Sequence, residues 1–158
     1  MQIIRQFIFT IILLSLTNCG FKVLDESQSK KFKIVEITNS GDKKINFLIK
    51  NQIFNNFNLN ESNERLKISL QTNKTKTIKE KNEKNQITKY NININTKILL
   101  EFLDKNRRKE IIINKSGYYD VKKKHRTTLN NLRNLENNLA VQISNEIKNK
   151  LTTYINDL

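Results

Sequence analysis

Few residues of this chain have the types and spacing that catalysis or metal binding requires. There is one histidine, His125, and one cysteine, Cys19, so a histidine-based triad, an intramolecular disulfide and a cysteine zinc site all lack their partners. The three glycines, at 20, 41 and 117, do not form a glycine-rich phosphate loop. Acidic residues are scattered without a recognisable motif. We therefore expect a protein that is not an enzyme and that holds no metal and no cofactor.

Two groups of basic residues remain as candidates for binding. Arginine forks and lysine point charges bind phosphate groups well, so we name both groups as candidates for contact with an anionic glycolipid. Each group could equally be part of an ordinary solvated surface, and the residues alone leave both interpretations open. The candidate residues are Arg107, Arg108 and Lys109 on a predicted turn, and Lys122, Lys123, Lys124 and Arg126 just before a long predicted helix.

The net charge also favours an anionic partner, but it does not identify the class of that partner. The chain carries a formal charge of +14, from 29 Lys and Arg against 15 Asp and Glu. Such an excess favours an anionic partner, which could be nucleic acid, an acidic lipid surface or a phosphorylated glycolipid. Lysine, asparagine and isoleucine share A/T-rich codons, however, and the chain has no proline and no tryptophan. Genomic drift is therefore an alternative source of the charge.

The first residues have the organisation of a signal peptide. A short segment with one positive charge, Arg5, precedes an apolar run over 7–16, and the polar residues Thr17 and Asn18 end that run. A membrane-spanning helix needs about 20 apolar residues, which is more than this run contains. We therefore predict an exported protein from which residues 1–18 are removed. The remaining 140 residues (158 minus 18) suffice for one domain.

Cys19 follows Leu-Thr-Asn, an order that resembles a lipobox, although Asn18 stands where a smaller residue is usual. In a lipobox the thiol accepts a diacylglycerol, and the amino group freed by cleavage accepts a third acyl chain. Each buried methylene contributes about 0.8 kcal/mol, so several chains anchor firmly. We therefore predict lipidation at Cys19 and a polar tether over 19–31. Because Gly20 rather than Asp follows the cysteine, we expect the outer membrane, with the domain on its periplasmic side.

Hydrophobic periodicity predicts the elements that must position these residues. Alternation with a period of two predicts strands, and apolar spacings of three and four predict amphipathic helices. The fold class that buries both helical stripes is α+β, a two-layer sandwich with two helices packed on one face of a four-stranded, mostly antiparallel sheet. We expect one domain over 32–158. The predicted elements are a strand at 32–37, a turn at 38–42, a helix at 43–57, a strand at 66–71 with 75–78 as its candidate continuation, a hairpin loop at 79–84, a strand at 87–103, a turn at 104–108, a strand at 109–113, an irregular aromatic segment at 116–121 and a helix at 127–158.

Several short motifs in this layout resemble the LptE family, the lipoproteins that assist lipopolysaccharide assembly at the outer membrane. Family members often open with Cys-Gly-Phe and a nearby Leu, as at 19–24, and commonly have a Thr-Arg-Tyr-like strand start, as at 87–90. Many carry Ser and Tyr before the last helix, as at 116–119, and a Leu-Ala and Ile step within it, as at 139–147. The last helix here is poorer in alanine and more basic than is usual in the family.

The resemblance implies a specific role. LptE proteins have a two-helix, four-strand fold, insert as a plug inside a large outer-membrane β-barrel, LptD, help that barrel to fold and contact lipopolysaccharide, with no covalent chemistry. The expected partners are thus an LptD-like barrel, lipopolysaccharide and the membrane that holds the lipid anchor. The alternative is an auxiliary lipoprotein of an ABC-type lipid-trafficking system or another envelope scaffold, which would associate with an inner-membrane complex. Nucleic-acid binding conflicts with export, and we do not expect it.

Overall fold

The computed structural model describes residues 32–56 and 64–156. The predicted signal peptide, the lipidation site Cys19 and the tether lie outside the described residues. The predicted helical ends at Phe57 and at 157–158 lie outside them too. These expectations, including the extent of the domain, stay predictions.

The elements alternate in the order strand, helix, three strands, helix, and the strands form one sheet in the order β1-β2-β3-β4. β1 and β2 are parallel because the first helix crosses over between them, whereas β2–β3 and β3–β4 are antiparallel hairpins. The predicted α+β fold, with helices packed on a mostly antiparallel sheet, is confirmed. The elements are β1 (Phe32–Gly41), α1 (Lys43–Asn56), β2 (Glu64–Lys81), β3 (Ile87–Phe102), a short 3-10 turn (Leu103–Lys105), β4 (Arg107–Asp120) and α2 (His125–Asn156).

The core lies between the two helices and one face of the sheet. Alternate residues of β2 and β3 are buried, as the period of two predicts. The helices contribute isoleucine and leucine at spacings of about four, which places them on one side of each helix. The fully or almost fully buried side chains include Leu66, Ile68 and Leu70 of β2, Ile92, Ile94, Ile98 and Leu100 of β3, Ile45, Ile49 and Ile53 of α1, and Leu139, Ile143, Ile147 and Leu151 of α2.

β4 runs unbroken to Asp120, so the prediction of an irregular segment at 116–121 is wrong. Residues of β4 that face the helices continue to alternate with outward-facing ones through Gly117 and Tyr119. The sequence hides this alternation because Gly117 has no side chain. A Cβ on Gly117 would lie 2.6 Å from Cδ1 of Leu135 on α2, so glycine allows the helix to approach the strand closely. Tyr119 is 5% exposed and belongs to the core, whereas Tyr118 points away from the helices and is 56% exposed.

β2 also extends further than predicted. It continues through Lys81, where a hairpin loop was expected at 79–84, because its polar residues still pair with β3 across the hairpin. An ion pair of 2.9 Å between Lys89 Nζ and Glu80 Oε2 joins the two strands there. A charged stretch is therefore compatible with a strand where both of its faces meet solvent.

The junction between β1 and α1 depends on Gly41 and Asp42. β1 continues to Gly41, through residues predicted as a turn, because it pairs with β2 as far as Thr72. Gly41 has φ +86°, and a Cβ there would lie 2.0 Å from the Thr72 carbonyl oxygen. Asp42 then caps α1, since the Ile45 N–H donates to Asp42 Oδ1 at 2.9 Å. Partial burial raises the pKa of Asp42, but the Ile45 N–H and the Lys74 ammonium lower that pKa by more, so it lies below its ordinary value.

A buried carboxylate connects both helices to the sheet. Glu136 of α2 is 2% exposed, and its Oε1 lies 3.0 Å from Lys74 Nζ on β2. Its Oε2 accepts a hydrogen bond from Lys44 of α1. Lys74 also pairs with Asp42 at 2.9 Å, so two carboxylates and two ammonium groups form one network. A charge is stable at such a buried position only when it is paired and hydrogen-bonded.

We expect Glu136→Gln to lower the free energy of unfolding by about 2 kcal/mol, because a buried neutral amide loses the charged hydrogen bonds to Lys44 and Lys74. Lys74 keeps its pair with Asp42 and Lys44 is half-exposed, so neither ammonium group is left buried without a partner. Glu146→Gln on the same helix is the matched control, since Glu146 pairs with Lys115 at a half-exposed site and should lose less than about 1 kcal/mol. Urea denaturation followed by circular dichroism measures both values. Equal losses in the two variants would show that burial of Glu136 does not matter.

Candidate anion-binding site

The two ends of the sheet differ in shape. β1 pairs with β2 only as far as Thr72, whereas β2 runs on to Lys81. The last part of the sheet is therefore three-stranded, and α2 begins beside it at His125. We call this part, where β2 and β4 end and β3 begins, the distal end. The opposite part, where β1, β2 and β4 begin and β3 ends, is the proximal end.

A cleft of about 350 Å³ opens at the distal end on the helix side of the sheet. Its walls combine cationic side chains with an apolar and aromatic floor. Small-molecule sites commonly have this composition, with a few polar groups over an apolar surface. The distal cleft, as we call it, is formed by Lys76, Tyr90, Tyr119, Val121, Lys122, Lys123, His125, Thr128, Leu129 and Leu132.

Lys76 is held at the cleft by aromatic rings. Its Nζ lies 3.7 Å from the centroid of the Tyr90 ring and 5.8 Å from that of Tyr119. The two rings stack on each other with centroids 5.7 Å apart. Cation–π contacts of this kind contribute about 0.5–1 kcal/mol at exposed sites, so they orient the ammonium group without neutralising its charge.

The basic segment before α2 is fixed by one threonine. The Lys122 N–H donates to Thr128 Oγ1 at 2.8 Å, and this hydroxyl donates in turn to the Lys122 carbonyl at 3.2 Å. The Val121 N–H donates to the Thr88 carbonyl at 2.8 Å and ties the segment to β3. The first turn of α2 has no acidic residue, so the partial positive charge of the helix N-terminus adds to the charge of the lysines.

Most cations of the distal end form no ion pair with a carboxylate of the described residues. In the described part of the chain, Lys122 pairs with Asp120 at 3.1 Å and Lys89 pairs with Glu80. Unpaired cations near a concave surface create a positive potential that attracts anions. The cations of this end that form no ion pair within 32–56 and 64–156 include Lys76, Lys79, Lys123, Lys124 and Arg126.

The structure does not bring the two predicted basic groups together. Residues 107–109 begin β4 at the proximal end, and residues 122–126 follow its other end. β4 has 14 residues, and a strand rises about 3.3 Å per residue, so the groups lie about 40 Å apart. Arg108 also pairs with Glu101 at 2.9 Å, and Lys109 lies over the Tyr154 ring at 5.3 Å. One small ligand therefore cannot contact both groups.

Sequence reasoning found part of the distal cleft and missed Lys76 and Tyr90. The sequence does not show which residues of neighbouring strands lie opposite each other. In the sheet, Tyr90 lies opposite Ile78 on β2 and opposite Tyr119 on β4. Lys76 lies two residues before Ile78, so it shares their face of the sheet. The alternation of β3 alone could not show which β2 residue lies beside Tyr90.

Comparison with known proteins shows a shared fold. No family model matches the chain, and no curated protein matches it. A solved structure of rare lipoprotein B from Shewanella oneidensis is similar with a TM-score of 0.56 at 11% identity, over 75% of this chain and 95% of that one. A candidate lipoprotein from Caulobacter crescentus gives 0.54 at 12%, over 77% and 89%. Lipoprotein B from Nitrosomonas europaea gives 0.53 at 12%, over 85% and 92%.

At these identities the similarity establishes the fold and leaves the role to be argued from the site. The match covers nearly the whole of each of these three solved chains. Within 32–56 and 64–156, neither α1 nor α2 combines the length and apolar character needed to cross a bilayer.

We expect Thr128→Val to loosen the segment that carries Lys122 and Lys123. Valine keeps the shape of threonine but cannot accept from the Lys122 N–H, and a hydrogen bond of this kind contributes about 1 kcal/mol. Exchange of the Lys122 amide proton, followed by NMR, should accelerate about fivefold to tenfold. Thr127→Val is the control, because Thr127 is exposed and should leave this exchange unchanged. Similar rates in wild type and Thr128→Val would exclude the positioning role of Thr128.

Proposed function

We propose that this chain is a lipid-anchored outer-membrane protein that acts as a plug and assembly factor for a β-barrel lipopolysaccharide translocon of the LptD type. In this proposal the distal cleft receives the phosphorylated part of the glycolipid. The observation that carries it is the concentration of cations, most of them without an ion pair among the described residues, around an apolar floor at one end of a fold shared with lipoproteins.

The chemistry of the distal cleft fits a phosphorylated amphiphile better than a simple anion. Lys76, Lys122 and Lys123 supply ammonium groups, which bind phosphate as point charges. Leu129 and Leu132 offer apolar contact directly beside them. A volume of about 350 Å³ is at the lower end of the range for ligand sites, so the cleft would hold a phosphorylated sugar and the first atoms of its acyl chains rather than a whole lipid.

The distance between the proximal and distal ends of the sheet supports a role in which the glycolipid passes along the protein. The first described residue, Phe32, pairs with Glu64 at the proximal end, so the chain enters the domain on that side. The distal cleft lies at the far end of the sheet from this entry. A plug of this form would hold its cationic end away from the leaflet that carries the anchor, inside or beyond the barrel.

A pair of matched triple variants tests the ligand site. We expect Lys76→Gln/Lys122→Gln/Lys123→Gln to weaken binding of purified lipopolysaccharide at least tenfold, since a tenfold change corresponds to about 1.4 kcal/mol and charged hydrogen bonds contribute about that much each. Arg107→Gln/Arg108→Gln/Lys109→Gln removes the same charge at the proximal end and should change affinity less than threefold. Dephosphorylated lipopolysaccharide should bind both variants and wild type alike. Equal weakening by the two triple variants would mean that only net charge matters.

Identification of the partner tests the assembly role. We expect tagged full-length protein, extracted from separated inner and outer membranes, to retain a β-barrel protein in the outer-membrane fraction. Mass spectrometry of the retained proteins is the measurement, and mass analysis of the chain itself reports the acyl chains on Cys19. Retention of an ATP-driven inner-membrane complex instead would favour an auxiliary subunit of a lipid-trafficking transporter and would exclude the plug.

A further inference from the structure

The side of the sheet that faces away from the helices carries a surface without charge. Three successive rows cross β2, β3 and β4 there, and their members are asparagine, threonine, serine and tyrosine. Eight of the nine side chains are exposed and one, Asn91, is half-buried. The rows of this neutral patch, as we call it, are Thr77–Asn91–Tyr118, Thr75–Asn93–Ser116 and Asn73–Asn95–Asn114.

Compositional drift does not account for the neutral patch. Charged residues make up 28% of the chain, and the same strand segments contain Lys74, Lys76 and Lys115. All three lie on the helix side, where charge is harder to accommodate, while the intervening positions that face solvent are neutral. An antiparallel sheet with one solvated face normally shows the opposite distribution, with its polar and charged residues outward. Drift toward lysine and asparagine codons cannot choose between alternate residues of one strand.

The neutral patch shares two features with protein interfaces, a centre without charged residues and a polar rim. Charged residues are depleted at the centre of such interfaces, aromatic residues are enriched and the rim is polar. Here Lys79 and Lys89 flank the patch at the distal end, and the ion pair of Lys97 with Glu110 borders it on the other side. Tyr118, 56% exposed, lies at the distal margin of the patch. Ile112, 55% exposed on the same face, lies just beyond its other margin.

We infer that the neutral patch is the face by which this chain packs against the inner wall of its β-barrel partner. This inference rests on the proposed function and adds the orientation of the plug. Residues that line the lumen of a membrane barrel are polar, and neutral amide and hydroxyl groups complement such a wall without burying unpaired charge. Two sheets can stack face to face about 10 Å apart. The helix side, with the distal cleft, then faces the interior, where the glycolipid passes.

A protein wall fits the neutral patch better than a soluble saccharide. Binding sites for small ligands are concave, whereas the patch lies on the surface of a sheet. Two of its side chains already bond to each other, since Asn95 donates to Asn114 on the neighbouring strand. A standard interface needs about 800 Å² from each partner, so the nine residues would form its centre and the charged residues around them its rim.

Two matched substitutions test the assignment. Asn93→Lys puts a charge at the centre of the neutral patch, and Asn138→Lys puts the same charge on the exposed side of α2. Each is introduced into the tagged full-length protein, which is extracted from outer membranes for quantification of the retained barrel. We expect Asn93→Lys to lower the retained barrel at least tenfold and Asn138→Lys to leave it within twofold of wild type. Asn93→Thr, a neutral replacement, should restore retention, and thermal unfolding should show that all three variants fold.

The outcomes separate this inference from the proposed function. Retention of the barrel by Asn93→Lys at the wild-type level would overturn the orientation while leaving the plug intact. Failure of the wild-type chain to retain any barrel would overturn both. If Asn93→Lys keeps the barrel but loses affinity for dephosphorylated lipopolysaccharide, the neutral patch binds saccharide and the inference is wrong. Unchanged glycolipid affinity together with loss of the barrel supports it, because the distal cleft lies on the other side of the sheet.

Discussion

The carboxylate of Glu136 lies between Lys44 and Lys74, and through this contact it joins the beginning of α1, the middle of β2 and the middle of α2. The carboxylate itself is buried, whereas the two ammonium groups reach it from partly exposed positions. Beside it, the hydroxyl groups of Thr72 and Thr96 meet at 3.2 Å, also fully buried. These polar groups form a layer across the protein that is stable only when every member keeps its partner.

The polar layer divides the helix side of the sheet into two regions of different character. Toward the proximal end, both helices cover the sheet and the core is apolar, with Phe102 and Tyr154 among its aliphatic residues. Toward the distal end, α1 is absent because it begins at Lys43, beside the layer, and runs the other way. Only α2 covers the sheet there, so the space that a second helix would fill becomes the distal cleft. The same network that fixes the helices therefore leaves room for a ligand at one end.

The sequence predicted the layers well, because apolar periodicity is a local signal. The stripe of α2 and the alternation of β3 identify their buried faces without knowledge of any partner strand. Only some residues of the distal cleft could be predicted from the sequence. The basic run at 122–126 is visible in the sequence, but Lys76 joins it through the register between β2 and β3, which no local pattern specifies. Glu136 was overlooked because it interrupts an otherwise apolar stripe, and that interruption was the available signal.

The placement of charge, more than its amount, distinguishes function from drift in this protein. An A/T-rich composition can raise the number of lysines everywhere, but it cannot leave three successive rows on one face neutral while Lys74, Lys76 and Lys115 occupy the opposite face of the same strand segments. Among the described residues, most cations of the distal end form no ion pair, whereas Arg65, Lys67, Lys105 and Arg108 at the proximal end each have a carboxylate partner and Arg107 and Lys109 do not. The cationic end costs folding stability, since like charges repel each other. A cationic end and a neutral face are what a protein needs if it binds an anion at one place and a polar wall at another.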